Sequence, residues 1–270
     1  MPYRLAALNM KMMRTALAAV IALSSLASPA RAQTRRAPYG LPAGARVIEE
    51  RALELTDGKK RSLVLWMLRP KRYPRATPDE TYTCPEETRG SFYSGPARVS
   101  LVDTDAGRVV NTLKISEDSA QGEDVFDIPY RIHAGGYYHV PGVADGREGK
   151  PTILWLKDFN GDGRAEEFAL FDALACMGLD TALFGYSERQ DRVIQYPLSL
   201  ETTHTDGGKV AEVLNWADYL FSKEPAAPGL WKFEIDYRGR GGSLDRYEVR
   251  YNVRAERFEG TLIQTTDEQQ

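Results

Sequence analysis

The sequence predicts a mainly β fold, an antiparallel sandwich or barrel-like sheet with one packed α-helix. Three observations predict it. Short apolar or alternating runs recur along the chain, separated by turns rich in Gly, Asp and Pro. Residues 231–237 read Trp-Lys-Phe-Glu-Ile-Asp-Tyr, the period of two that a half-buried strand requires. One segment, 209–222, instead spaces its apolar residues by three and four.

Taken in order, the chain opens with Arg4, Lys11 and Arg14, an apolar run at 15–27, and the small-x-small triplet Ala30-Arg31-Ala32. That order of charge, apolar core and small residues is a secretory signal, with cleavage expected after Ala32. The apolar run is shorter than the roughly 20 residues a membrane span needs, so no anchor is expected after cleavage. Met10, Met12 and Met13 just before the core offer alternative starts. Residues 33–45 read as a flexible leader, 46–264 as a single β-rich domain and 265–270 as a frayed polar tail. The expected location is periplasmic or secreted. In an oxidising space Cys84 and Cys176 are expected to pair, the alternative being two buried thiols.

Within the domain, 62–68 (SLVLWML) is an apolar strand. Residues 97–102 and 108–115 flank Asp103-Thr-Asp-Ala-Gly107, a hairpin with turn residues at its tip. Strands are expected at 125–132, at 152–156 and at 168–171. Residues 181–186 and 192–196 form a further hairpin. In 209–222, Val210, Val213, Leu214, Ala217, Leu220 and Phe221 predict one helical stripe, with Asp206 as cap and Pro225 beyond the end. Strands at 231–237 and 247–253 flank a Gly-rich turn, and 258–263 adds a last edge strand. Trp155, Trp216 and Trp231 are expected on buried faces.

The chain has 35 basic and 38 acidic residues. Removing Arg4, Lys11, Arg14 and Arg31 with the signal leaves 31 basic residues against 38 acidic, a net of −7. Such a surface repels phosphate backbones, so nucleic acid is not an expected partner. An unidentified protein or carbohydrate is. No HExxH, GxSxG or Cys/His cluster is present. His133 and His139 sit in a Gly- and Tyr-rich stretch and His204 in a polar turn; irregular loops explain them better than a catalytic role. Glu234, Asp236 and Glu248 alternate with apolar neighbours. They belong on a solvent face, paired with Arg246 and Arg250, rather than in a glycosidase dyad.

The segment with a distinct chemical logic is 158–167, Asp-Phe-Asn-Gly-Asp-Gly-Arg-Ala-Glu-Glu. Oxygen-bearing side chains stand at loop positions one, three and five (Asp158, Asn160, Asp162), Gly163 permits the sharp turn, the Arg164 carbonyl can face inward, and Glu166 stands at nine. Calcium takes six to eight hard oxygens at about 2.3–2.6 Å, and this spacing wraps a short loop around such an ion. The loop resembles the calcium loop of FG-GAP or VCBS-type repeats, in which Asp-x-Asn-Gly-Asp-Gly-x-x-Asp lies between two strands. The resemblance covers about residues 152–171 in a single copy and implies a structural Ca2+. Position nine is Glu166 where those loops carry Asp, which leaves Glu167 as an alternative ligand. An EF-hand is excluded, because Ala169 stands where its bidentate Glu belongs. The resulting expectation is an exported β-rich binding or structural protein with one calcium loop. The competing expectation is an exported, possibly carbohydrate-active hydrolase whose catalytic residues the sequence does not group.

Overall fold

The computed structural model describes residues 38–73, 92–115, 126–128, 152–174 and 178–266. The segment expected to be a signal, both cysteines, His133, His139 and most of the strand expected at 125–132 lie outside them.

In chain order the strands are β1 (Ala45–Ala52), β2 (Arg61–Leu68), β3 (Lys71–Tyr73), β4 (Phe92–Gly95), β5 (Ala97–Asp103), β6 (Arg108–Ile115) and β7 (Phe126–Ile128). Then come β8 (Glu167–Leu174), β9 (Gly178–Ser187), β10 (Arg192–Tyr196), β11 (Leu198–Thr203), β12 (Lys209–Leu214) and β13 (Ala217–Asp218). The last are β14 (Leu230–Asp236), β15 (Leu244–Asn252) and β16 (Arg257–Thr265). A first sheet runs β1-β2-β5-β6, a second runs β10-β9-β13 with β8 also on β9, and a third runs β12-β11-β16-β15-β14. β3, β4 and β7 form a small fourth sheet. Pairing is antiparallel except between β11 and β16, which run parallel.

Two cores hold the three large sheets together. Leu63, Leu65, Val99 and Leu101 of the first sheet pack with Phe168, Leu170, Ala182, Phe184 and Val193 of the second. On its other side the second sheet gives Ala169, Leu183 and Tyr196 to a core with Trp231, Val249, Phe258 and Leu262 of the third. The middle sheet is therefore apolar on both faces. β2 is buried on both faces too. Val64 and Trp66 point away from the first core and are covered by Tyr39 and Leu41, which is why 62–68 is a continuous apolar run rather than an alternating one. Leu41 is buried, so the fold takes in part of the segment expected to be a flexible leader.

Buried polar side chains stitch the layers. Asn111 of β6 donates to the Val193 carbonyl at 2.8 Å and accepts from the Val193 N–H at 2.9 Å, replacing a strand pair between the first and second sheets. Glu49, buried at a bulge in β1, accepts the Ile153 N–H at 2.8 Å and pairs with Arg51. That bond holds the segment leading to the acidic loop.

Several expectations need correction. The helix at 209–222 does not form. Residues 209–214 pair with β11 as β12, 217–218 are the short strand β13, and only Leu220–Ser222 makes a single 3-10 turn. The apolar stripe serves no single face: Val210 and Val213 are exposed, Trp216 enters the first core, and Ala217, Leu220 and Phe221 enter the second. Asp206 caps no helix; it accepts the Gly208 N–H and closes the β11–β12 turn. Residues 258–263 are no edge, because β16 lies between β11 and β15. Residues 152–156 form no strand, and Trp155 is 44% exposed. The hairpins at 97–115 and 181–196 and the strands at 231–237 and 247–253 form as expected. Arg246 pairs with Glu234 as expected, while Glu248 takes Lys232 and Asp236 takes Arg238.

Candidate functional site

The acidic loop is closed at its base by a reciprocal backbone pair. Lys157 N–H donates to the Glu167 carbonyl at 2.8 Å, and Glu167 N–H donates to the Lys157 carbonyl at 3.2 Å. Between them the chain coils inward onto its own side-chain oxygens. Asp158 Oδ1 accepts the N–H groups of Gly161 (2.6 Å) and Asp162 (3.1 Å), and its Oδ2 accepts that of Gly163 (2.9 Å). Asn160 Oδ1 accepts the Asp162 N–H at 2.8 Å, and Asp162 Oδ1 accepts the Arg164 N–H at 2.9 Å. Short polar side chains bonding to the backbone just downstream are what a tight, irregular loop needs, since its N–H groups have no strand partner.

Glycine is required where the loop meets its neighbour. Gly161 has φ +80, and a Cβ there would stand 2.7 Å from the Pro228 carbonyl carbon. Opposite it, a Cβ on Gly229 (φ +66) would stand 2.5 Å from the Asn160 oxygen. The loop tip thus lies backbone-on-backbone against the 228–229 turn. Gly163, with φ +87, makes the bend expected of it.

The two glutamates at the end of the loop, Glu166 just before β8 and Glu167 its first residue, have different surroundings. Glu167 is fully buried beneath the loop. Its Oε2 accepts the Phe159 N–H at 3.0 Å, and its Oε1 accepts the Asn160 side-chain amide at 2.9 Å. Burial pushes its carboxyl up to about 8, against the downward pull of the Phe159 N–H. Glu166 is 3% exposed, and its Oε1 accepts no hydrogen bond. The nearest cation is the Arg164 guanidinium, whose Nε stands 3.8 Å from that oxygen. Burial raises the Glu166 carboxyl above its usual range, and Arg164 offsets part of the rise.

Arg164 is the counter-charge of the loop. Its guanidinium donates to Asp162 Oδ2 at 3.1 Å and to Glu188 Oε2 at 2.8 Å, on the turn between β9 and β10. These bonds hold its own proton more tightly than usual. Asp158, Asn160 and Asp162 therefore come together around backbone N–H groups, Glu166 faces the guanidinium, and Glu167 serves as the prop beneath. As the side chains stand, no three acidic, His or Cys residues among the described residues are grouped to share a metal ion. His204 lies on the exposed β11–β12 turn with its Nδ1 2.9 Å from Gln264 Oε1, away from the loop.

Sequence reasoning did not find the cleft next to the loop. It holds about 420 Å3 and is lined by Trp155, Phe171, Tyr219 and Phe221, with Lys157 and Lys223 among them. Phe159, the second residue of the loop, contributes to its wall and stacks on Trp231 at 6.2 Å. The signal available was Trp155 two residues from Lys157, but Trp155 was expected to be buried. The Tyr219 half comes from a distant segment. No protein-family model, no curated protein and no solved structure matches this chain.

Proposed function

We propose that this chain is an exported β-rich binding or structural protein whose 158–166 loop holds one structural Ca2+. The observation that carries the reading is Glu166, an almost fully buried carboxylate with one oxygen lacking a hydrogen-bond donor. An unsatisfied buried carboxylate oxygen costs about 1–3 kcal/mol or more. A divalent cation at the mouth of the loop removes that cost. The side chains of Asp158, Asn160, Asp162 and Glu166 with the Arg164 carbonyl make a hard-oxygen donor set of the kind calcium takes. Glu167 supports them from below. Arg164 supplies the positive charge, and a bound ion would compete with its guanidinium for Asp162 while the bond to Glu188 could remain.

The signal-like residues 1–32 support export into a compartment rich in calcium. The cleft, with aromatic walls and lysines, supports binding of a ligand in preference to hydrolysis. Differential scanning fluorimetry of the mature chain tests the metal. With free calcium at about 100 times its dissociation constant the linkage is worth about 2.7 kcal/mol, so the melting temperature rises with calcium and falls on chelation. An unchanged melting temperature in both arms rejects the site.

A further inference from the structure

We propose that the cleft beside the loop binds a small organic anion with an apolar body, of the class of aryl or medium-chain carboxylates. Its volume, about 420 Å3, lies in the range of small-molecule sites. Its walls are aromatic, and each wall carries a lysine. Lys157 Nζ lies 4.3 Å from the centre of the Trp155 ring, and Lys223 Nζ lies 5.2 Å from that of Tyr219. Cation–π contact holds both ammonium groups at the cleft while their remaining N–H donors stay available.

The lip already displays the recognition chemistry. Lys157 pairs at 3.5 Å with Glu224, whose side chain is 88% exposed. So exposed a partner contributes little to the fold and gives way readily to another carboxylate. Glu224 is the one acidic residue among the described lining, so two lysines favour an anion over a cation.

The cleft is built rigidly. Tyr219 adopts φ 53, a left-handed conformation that costs a non-glycine residue about 1 kcal/mol or more and needs a surrounding structure to impose it. Its N–H donates to the Leu179 carbonyl at 2.8 Å, and its own carbonyl accepts from Ser222. The next turn is fixed as well: Phe221 N–H donates to Thr181 Oγ1, and Trp231 Nε1 donates to the Lys223 carbonyl. A strained tyrosine held against an aromatic cleft by this many bonds points to a preorganised site. The amide and carboxylate side chains that would bracket sugar hydroxyls are missing from the described lining, apart from exposed Glu224.

The proposal stands apart from calcium, and its test omits the metal. The mature chain is titrated by calorimetry with 3-phenylpropionate, decanoate, the uncharged 3-phenylpropan-1-ol, inorganic phosphate and cellotriose. The two carboxylates are expected to saturate a single site, and the alcohol to bind about tenfold more weakly. Lys157→Gln and Lys223→Gln each weaken carboxylate binding about threefold, and Trp155→Ala about tenfold. Melting temperatures near that of the wild type show that the variants fold. Four results each overturn the proposal: equal affinity for alcohol and carboxylate, saturation by phosphate or cellotriose, no saturable binding of either carboxylate, or wild-type affinity in all three variants.

Discussion

Two neighbouring turns concentrate acid in this protein and resolve it in different ways. In the turn between β9 and β10, the half-buried Asp191 has each carboxylate oxygen bonded. Arg61 grips it through Nε and Nη2 at 3.2 and 2.9 Å, Lys59 stands 3.4 Å away, and the Tyr186 hydroxyl donates at 3.0 Å. Arg61 also holds Asp103 at 2.8 Å. In the 158–166 loop a single guanidinium serves Asp162, Glu188 and, at a longer range, Glu166, leaving a buried oxygen open. The first turn takes its cations, Lys59 and Arg61, from the start of β2 and the residues before it. The second has more acidic oxygens than cations, the imbalance on which the calcium proposal rests.

The largest expected effect breaks the closed side. Arg61→Ala leaves Asp103 without its arginine and Asp191 with only Lys59 and the Tyr186 hydroxyl, and because the lost guanidinium is itself nearly buried, a loss of about 3 kcal/mol is expected in urea unfolding. A loss under about 1 kcal/mol would make that network ornamental. Next comes the prop of the open side. Glu167→Ala leaves the Phe159 N–H buried without an acceptor and is expected to cost about 2 kcal/mol in calcium-free buffer, with Glu167→Gln milder because one acceptor remains. Equal losses in the two variants would contradict the role given to its oxygens.

A pH titration sharpens the contrast. Arg61 above all holds Asp191 down to about 2, against 3.8. The stability Asp191 adds is therefore complete above about pH 4 and is lost as pH falls through about 2. The advantage of wild type over Asp191→Asn should vanish over that interval, and Asn tolerates the φ of 47 at this position. An advantage that persisted at pH 2 would deny the pairing. The smallest effect on the fold is expected for Arg164→Ala, about 1 kcal/mol without calcium: its bonded partners Asp162 and Glu188 are part-exposed, and buried Glu166 loses only a counter-charge 3.8 Å away. The same variant should bind calcium more tightly than wild type, since a competing cation is gone. Weaker calcium binding would mean that the guanidinium assists rather than competes.

Much of the sheet was legible because a strand writes its faces at a period of two. The 231–237 alternation and the two hairpins with Asp- and Gly-bearing turns needed no tertiary knowledge. The 209–222 segment misled because helical spacing arises equally when apolar residues are shared between two cores and an exposed edge. At the loop, the bend at Gly163 was readable. The division of labour between Glu166 and Glu167 was not, since it depends on Phe159 folding back over β8. Contacts such as Asn111 with Val193, or Glu49 with Ile153, join a side chain to a distant backbone and leave no local pattern. The cleft was hidden for the same reason: Trp155 and Tyr219 meet only once the sheets have stacked.

Calorimetric titration of calcium into the chain from residue 33 onward, with Asp162→Ala alongside, tests the open-loop account most directly. One saturating site in the wild type, lost or strongly weakened in the variant, is the result expected. Absence of binding heat in the wild type, or equal binding by both proteins, would contradict it and leave the loop as a turn that closes on its own hydrogen bonds.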